Sequence, residues 1–341
     1  MDNSEEYRAL PGSVEQLEEF ESAWKSGKFP CPACGRKMAL DTLEPLKING
    51  CTHCKENFFF PRKLGEYYLF EPCGGGGMGS VYKAVSRKFP GQLLAVKILA
   101  RSECSNPTNI RALINEAEVS ANFRDSEYIA ACLDHGYLES EYFTVMPCID
   151  GERLDKRIER LGRLDREEVL RITLHLLAAE QHIYSRGYLF RDMKPENVII
   201  NNYGYAVLLD FGLCIPLVEA QDPKDEFISG SPYYMPPERL LGNPEGAPSE
   251  LYSIGMVMYN ALTGTTFYEA DQLEELAQRH VAKMKISNVA KMRTIDKDIA
   301  AILEPMLRQN PLERPQTFRE VFDQVKALLG PVPAAQAPEV S

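Results

Sequence analysis

The sequence contains no run of about 18 or more apolar residues, so it predicts no membrane-spanning helix. Its first ten residues, MDNSEEYRAL, lack the apolar stretch of a secretory signal, and we therefore expect a cytoplasmic protein. In that compartment the nine cysteines should stay reduced unless a metal binds them. Bases are also scarce: 38 Lys and Arg against 49 Asp and Glu leave a net charge of −11. This charge argues against broad electrostatic binding to nucleic acid.

The 341 residues that are present divide into segments of different character. Residues 1–27 carry a local charge of −5, and residues 28–63 carry +4 together with a group of cysteines. From residue 64 short strand-like runs follow, such as EYYLFE and LLAVKIL, and beyond about residue 150 the apolar spacing becomes helical. We therefore predict four parts: residues 1–27, a module at 28–63, a main domain at 64–329, and a disordered Pro/Ala-rich tail at 330–341.

The acidic segment contains one predicted amphipathic helix, in the stretch SVEQLEEFESAW. Ser13 is a suitable N-cap, and Gln16 completes a capping box. The residues at helical spacing are Val14, Leu17, Phe20 (or Glu21) and Trp24. We favour packing of this helix on the body of the protein over a docking or autoinhibitory role. Its negative charge also suggests the hypothesis that it folds onto the basic module.

The basic module contains the motif Cys31-x2-Cys34-x16-Cys51-x2-Cys54. Two residues between thiolates allow one tight turn to direct both sulfurs at one ion, and two such turns complete a tetrahedron. The motif resembles a zinc ribbon and predicts a structural Zn²⁺ with no open coordination position. His53 is then a spacer. Such modules bind nucleic acid or protein; we favour an intramolecular or protein–protein role and leave a nucleic-acid partner open.

A glycine-rich stretch, CGGGGMGSVYKAV, follows the module. Gly74, Gly76 and Gly79 have the spacing G-x-G-x-x-G, which allows backbone N–H groups to approach phosphates closely. The stretch lies between two strand-like runs instead of a strand and a helix, so a dinucleotide-binding fold is disfavoured. Lys97, eighteen residues after Gly79, is the cation we expect to bind phosphate.

Two further motifs complete the pattern: LFRDMKPENVII at Leu189–Ile200 and DFG at Asp210–Gly212. With the glycine loop and Lys97, they make the chain from about Leu64 to Leu329 similar to a eukaryotic-type protein kinase domain, close to the bacterial (Hanks-type) serine/threonine kinases. The resemblance implies an α+β, two-lobe kinase fold: an N-lobe antiparallel sheet with one helix, and a helical C-lobe. In this chain, the zinc-ribbon-like module precedes the predicted kinase domain.

The resemblance implies how the N-lobe would bind ATP. Lys97 would contact the α- and β-phosphates and pair with Glu116, which fits the family's spacing better than Glu118. The predicted adenine contacts are Val81, Ala95 and Ile199, with Met146 as gatekeeper and Pro147, Cys148 and Ile149 as hinge. Pro147 has no N–H to donate, but the family uses only a carbonyl at that position, and the Ile149 N–H remains available.

The resemblance also assigns catalytic roles in the C-lobe. Asp192 would accept the proton of the substrate hydroxyl, and Lys194 would neutralise charge on the transferring γ-phosphate. Asn197 and Asp210 would bind Mg²⁺ (or Mn²⁺). These residues predict an ATP-dependent serine/threonine protein kinase that also phosphorylates itself.

Two residues depart from the family pattern. Phe190 stands where a His is usual, which should preserve aromatic packing and lose a hydrogen bond, at a cost of about 1 kcal/mol. Glu250 stands where an Asp usually caps the catalytic-loop backbone. These departures are the only support for a nucleotide-binding pseudokinase without turnover. The sequence also leaves open a small-molecule kinase and a nucleic-acid-binding protein that is regulated by its kinase domain.

The predicted activation segment contains ISGSPYYMPPERL. It resembles the family's peptide-binding segment, which argues against a small-molecule kinase. Ser231 occupies the usual Thr position, and Ser229 is our candidate phosphorylation site, with Arg191 as the residue that would bind the phosphate. Glu238 should form a buried, structural ion pair with Arg314.

Overall fold

The computed structural model describes residues 14–76, 79–222, 230–270, 272–282, 291–292 and 294–330. Within these ranges, no helix has both the length and the apolar character needed to cross a bilayer. The chain divides into two compact units. Unit 1 comprises residues 1–118 and 131–148, and unit 2 comprises residues 119–130 and 149–341.

Unit 1 contains two helices and most of the strands that the structure describes. The elements are α1 (Val14–Ser26), β1 (Lys28–Pro30), β2 (Lys37–Ala39), β3 (Ile48–Gly50), β4 (Asn57–Phe59), β5 (Arg62–Leu64), β6 (Tyr67–Gly76), β7 (Gly79–Ser86), β8 (Leu94–Leu99), α2 (Pro107–Ser120, continuing into unit 2), β9 (Asp134–Leu138) and β10 (Glu141–Pro147). A six-stranded antiparallel sheet has the order β5-β6-β7-β8-β10-β9, and two small hairpins, β1-β2 and β3-β4, precede it. The boundary predicted between residues 63 and 64 falls inside β5.

An apolar core joins the cysteine module to the sheet. Its buried members come from α1, from the two hairpins and from strands β6 and β7: Leu17, Phe20, Ala23, Phe29, Cys31, Met38, Leu43, Cys51, Phe58, Phe60, Tyr68, Phe70 and Val85. The Phe29 ring lies 5.2 Å from Phe60 and 5.9 Å from Phe58, measured between ring centroids. The module and the sheet therefore share one interior, which couples their folding.

Helix α1 packs on unit 1 as the amphipathic pattern predicts. Phe20 stacks on Tyr68 of the sheet at 5.9 Å, and Trp24 stacks on Phe60 of the module at 5.7 Å. The helix thus folds onto the module as hypothesised, but through aromatic contacts and not through its charge. Glu21 forms its bidentate ion pair with Arg87, just beyond β7, instead of with a base of the module.

Unit 2 is mainly helical. Its elements are β11 (Gly151–Arg153), α3 (Leu154–Leu161), α4 (Arg166–Ser185), β12 (Tyr188–Leu189), β13 (Val198–Asn201), β14 (Ala206–Leu208), β15 (Ile215–Pro216), α5 (Leu217–Ala220), α6 (Pro237–Leu240), α7 (Ala247–Thr263), α8 (Leu273–Val281) and two further helices, Lys297–Met306 and Phe318–Leu329. Helix α4 begins at its N-cap Asp165, whose side chain accepts the Glu168 N–H. Helices α4 and α7 pack together and bury most of their residues.

Candidate active site and four-cysteine cluster

The predicted phosphate-binding lysine is ion-paired within unit 1. The Lys97 Nζ lies 2.7 Å and 3.0 Å from the two carboxylate oxygens of Glu116. Lys97 lies in a strand whose other residues are buried, and Glu116 lies on α2. The contact predicted between these two residues is confirmed, and it holds the ammonium group in a fixed position.

Several other predicted ATP contacts lie on the same face of the sheet as Lys97. Val81 is directly opposite Lys97 on the neighbouring strand, and Met146 is directly opposite Ala95. Directly opposed residues share a face, and residues two apart in one strand do so as well. Pro147 closes β10 opposite Leu94.

The glycine-rich stretch includes the end of β6 and the start of β7, and residues 77–78 between them lie outside the described ranges. Gly74 pairs with Val81, and Gly76 pairs with Gly79. A Cβ on Gly79 would lie 2.3 Å from the Ile98 carbonyl oxygen, so the close approach of β8 requires a glycine there. Gly79 thus has a structural role in addition to its predicted place in the phosphate-binding loop.

The catalytic-loop motif brings three predicted residues together in unit 2. The Asp192 Oδ2 accepts hydrogen bonds from Lys194 Nζ at 2.7 Å and from Asn197 Nδ2 at 2.7 Å. The Asn197 Nδ2 also donates to the Asp192 backbone carbonyl at 3.0 Å. Asp192 and Asn197 are both buried. Because its nitrogen is engaged, the Asn197 amide presents its oxygen as the atom for a cation.

The DFG motif, Asp210–Gly212, contains the second residue predicted to bind a cation. Asp210 has a positive φ of 61°, and its Oδ1 accepts the Gly212 N–H at 3.2 Å. Phe211 is buried and packs against Phe190 with ring centroids 5.1 Å apart. Phe190 therefore makes the aromatic contact that we predicted for it. The two remaining predicted nucleotide contacts, Ile149 and Ile199, are half-buried.

Glu250 caps the catalytic loop despite its extra methylene group. Its Oε1 accepts the Arg191 N–H at 3.0 Å from the first turn of α7. The Arg191 guanidinium, which was predicted to bind a phosphate, is ion-paired with the Glu245 carboxylate at 3.0 Å. Ser229, the candidate phosphorylation site, lies outside the described residues, whereas Ser231 is described.

The predicted ion pair between Glu238 and Arg314 is confirmed. The Nη1 and Nη2 of Arg314 lie 2.8 Å and 2.9 Å from the two Glu238 oxygens. The side chains are 0% and 2% exposed, so the pair is fully removed from water.

The four predicted metal-binding cysteines meet in one cluster. The sulfur atoms of Cys31, Cys34, Cys51 and Cys54 all lie within 4.8 Å of one another. The distances are 3.7 Å from Cys31 to Cys54 and 3.8 Å from Cys34 to Cys51. A tetrahedral Zn²⁺ with Zn–S bonds of about 2.3 Å requires sulfur–sulfur distances of about 3.8 Å. The cluster therefore has dimensions that fit the ion.

Two matching turns build the cluster. In the first, Cys31 accepts the Gly35 N–H and donates its own N–H to the Arg36 carbonyl. In the second, Cys51 accepts the Lys55 N–H and donates to the Glu56 carbonyl. Gly35 and Lys55 both have a positive φ, 70° and 66°. The two hairpins thus repeat one local geometry.

The sequence interpretation missed three buried charged residues around the catalytic loop. Glu180, Arg239 and Glu245 are 1%, 7% and 4% exposed. Arg239 pairs with Glu245 at 2.7 Å, and its Nη1 donates to the Arg191 carbonyl. Only the position of Arg239 in the PPERL stretch, close to Glu238, could have drawn attention to it.

Comparison with known proteins agrees with this geometry. The family described as Protein kinase domain matches residues 67–325. A probable serine/threonine-protein kinase of Clostridium perfringens is 27% identical over 262 residues, which cover 77% of this chain and 38% of that protein. The serine/threonine-protein kinase PrkC of Bacillus subtilis is 26% identical over 265 residues, covering 78% of this chain and 41% of that protein.

A third relative is the serine/threonine-protein kinase PknK of Mycobacterium tuberculosis. It is 29% identical over 259 residues, which cover 75% of this chain and 23% of the relative. The chain thus spans about two fifths or less of the length of these relatives. The family match covers most of the chain and includes the glycine loop, Lys97, the catalytic loop and the DFG motif. The chain belongs to the protein kinase domain family, and it is similar to bacterial serine/threonine kinases.

Proposed function

We propose that the protein transfers the γ-phosphate of ATP to serine and threonine hydroxyls of proteins, including its own. The observation that carries the proposal is the catalytic-loop cluster, in which Lys194 and Asn197 both bind one oxygen of Asp192 at 2.7 Å. Phosphoryl transfer depends on alignment and charge neutralisation, and a base held in this way meets the first requirement. The paired Lys97 and Glu116 support the same function.

In the proposed mechanism, Asp192 orients the substrate hydroxyl and accepts its proton. Lys194 faces the transferring phosphate with its positive charge, and Lys97 holds the α- and β-phosphates. The Asn197 amide nitrogen is hydrogen-bonded to Asp192, which leaves the amide oxygen for a cation. With the carboxylate of Asp210, this oxygen would bind Mg²⁺ or Mn²⁺, which prefer oxygen ligands. That cation, when bound, supplies further neutralisation of phosphate charge.

The direct test is transfer of labelled phosphate from ATP to the chain itself and to a generic Ser/Thr protein substrate. Asp192→Asn should lower the rate by about 10²–10⁴-fold, since it removes the general base. Asp323→Asn, on an exposed face of the last helix, is the matched control and should leave the rate unchanged. ATP binding without transfer in the wild type, with other divalent cations and activators tried, would contradict the proposal and favour a pseudokinase.

We further propose that the four cysteines bind a structural Zn²⁺ and that the module is an integral part of unit 1. The support is the convergence of the four sulfurs within 4.8 Å, with two sulfur–sulfur distances of 3.7 Å and 3.8 Å, and the apolar core shared with β6 and β7. The proposal also implies a reducing compartment such as the cytoplasm, because the thiols must stay available to the ion. Elemental analysis of the purified chain tests it directly: one Zn²⁺ per chain is expected, and its absence from every preparation would exclude the site.

The other role that the sequence leaves open for the module is binding of a nucleic acid. Exposed bases such as Lys28, Arg36 and Lys37 make it testable. Binding of DNA or RNA that weakens steeply with salt would establish this role, whereas the shared core favours an intramolecular one.

A further inference from the structure

Two acidic side chains meet in the interior of unit 2. Glu180 on α4 and Glu250 on α7 are each 1% exposed. One oxygen of each, the Glu180 Oε1 and the Glu250 Oε2, is buried and has no hydrogen-bond partner within the described residues. An unpaired buried carboxylate is strongly unfavourable, so these two oxygens require an explanation.

A single proton explains both of them. Two carboxylates cannot hydrogen-bond to each other because both groups only accept, whereas a carboxylic acid donates its O–H to a carboxylate. We propose that Glu180 is a protonated carboxylic acid that donates to Glu250, and that this hydrogen bond positions the catalytic loop. The proposal rests on the proposed kinase function, and Glu180 acts in it as a positioning residue.

The charges around the pair balance only with this proton. Two guanidinium groups, of Arg191 and Arg239, face three carboxyl groups, of Glu180, Glu245 and Glu250. Glu245 pairs with both arginines, at 3.0 Å and 2.7 Å. With Glu180 protonated, two positive and two negative charges remain, and the buried cluster is neutral.

The thiol of Cys214 also faces the cluster, and it does not change this balance. Burial raises the pKa of Cys214, which keeps the thiol neutral. Within the described residues, Arg191, Arg239, Glu245 and Cys214 are thus the charged or titratable groups that act on the pair.

The surroundings place the proton on Glu180. Burial, followed by the charge of Glu250, raises the pKa of Glu180 well above its usual value. Burial raises the pKa of Glu250 only to about 7, because the Arg239 charge and the Arg191 N–H both favour its ionised form. The ionised partner is therefore Glu250, which accepts from Glu180 on one side and from Arg191 on the other.

The pair acts on the loop through Arg191, the residue before Asp192. Its N–H donates to Glu250 at 3.0 Å, and its carbonyl accepts from Arg239. Arg191 has a positive φ of 68°, a conformation that neighbouring contacts must hold in place. If Glu250 loses the Glu180 donor, its carboxylate can rotate, and the backbone next to Asp192 loses one of these contacts.

Two substitutions at Glu180 test the proposal in the full chain. Glu180→Gln keeps a donor at the same position without an ionisable proton, and its kcat at neutral pH should stay within about twofold of the wild type. Glu180→Leu fills the space without a donor, and its kcat should fall about tenfold while the KM for ATP stays within about twofold. Equal kcat losses in both variants would overturn the positioning role.

The proton itself is tested by readouts that need no turnover. At about pH 8, where Glu250 should be mostly ionised, the wild type should show an infrared band of a protonated carboxyl group that Glu180→Gln lacks. A spectrum without this band would overturn the proposal and indicate a bound water instead. Because these readouts do not involve phosphate transfer, a chain without kinase activity that shows the band would refute the proposed function alone.

The pH dependence of stability has a defined sign. A raised pKa in the folded state means that the contribution is complete below the ordinary glutamate value of about 4.3 and is lost as the pH rises. The Tm of the wild type should therefore fall relative to that of Glu180→Gln as the pH rises from about 4.3 through neutral pH. Parallel Tm curves over that range would contradict a protonated Glu180.

Discussion

The four-cysteine cluster and the buried charge cluster of Glu180, Arg191, Arg239, Glu245 and Glu250 both bring polar side chains together, but over different distances in the sequence. The cysteines converge through two local turns with matching hydrogen bonds, Cys31–Arg36 and Cys51–Glu56. The catalytic loop is held by side chains from α4, α6 and α7, up to 70 residues apart between Glu180 and Glu250. The first cluster is built by local spacing and the second by packing of distant helices.

The largest effect on stability is expected at the first cluster. Cys51→Ser removes one of four thiolates from a buried position and should lower the free energy of unfolding of unit 1 by about 4 kcal/mol or more. Cys104→Ser is the matched control, since the Cys104 thiol lies in unit 1 outside the cluster and makes one long contact, 3.7 Å, to the Leu99 carbonyl. Chemical denaturation of the zinc-loaded proteins measures both. Equal losses in the two variants would show that the cluster is not a metal cross-link.

The next largest effect on stability is expected in unit 2, at the buried ion pair between Glu238 and Arg314. Glu238→Gln leaves the Arg314 guanidinium, 0% exposed, without its counter-charge. The expected loss is about 3–5 kcal/mol, because an unpaired buried charge is far less stable than a paired one. Denaturation of Glu238→Gln beside Glu320→Gln, a change at an exposed acid of the last helix, provides the comparison. A loss below about 1 kcal/mol would mean that water reaches the arginine.

Much of the first cluster could be predicted from the sequence. The C-x2-C spacing determines a local turn, so the convergence of four sulfurs follows from the pattern alone. The pair Lys97–Glu116 and the aromatic packing of Phe190 followed from the family resemblance in the same direct way. The packing of α1 followed from its apolar face, although its ion pair with Arg87 did not.

Apart from the Glu250 cap, the second cluster could not be predicted, and the reason is physical. A single glutamate in a helix such as α4 gives no local sign of burial; only the packing of α4 against α7 removes Glu180 from water. Arg191 was expected to bind a phosphate because it precedes the catalytic Asp192. Its ion pair with Glu245 could not be foreseen, since Glu245 is distant in sequence and carries no recognisable motif. Gly79 shows the same limit, since its contact with Ile98 depends on the register of β7 and β8.

The smallest effect on stability is expected at the two cysteine turns, at Gly35 and Lys55. Lys55 and Gly35 adopt the same left-handed conformation, which costs about 1–2 kcal/mol for a residue with a side chain. Lys55→Gly should therefore stabilise the fold by about 0.5–1 kcal/mol, after the extra unfolded-state entropy of glycine is subtracted. Gly35→Ala, with no atom near the added Cβ, should destabilise it by about 1–2 kcal/mol. Chemical denaturation of both variants beside the wild type measures the two changes. Effects of the same sign would show that the two turns are not equivalent.

The central claim is that the cysteine module (residues 28–63) and the sheet of unit 1 form one folding unit. Hydrogen exchange of the full chain before and after removal of Zn²⁺ by a chelator tests it most directly. The shared core predicts loss of protection in β1–β4 and also in β6 and β7, with the helices α4 and α7 of unit 2 unchanged. Loss of protection confined to residues 28–63 would contradict the claim and make the module an independent domain.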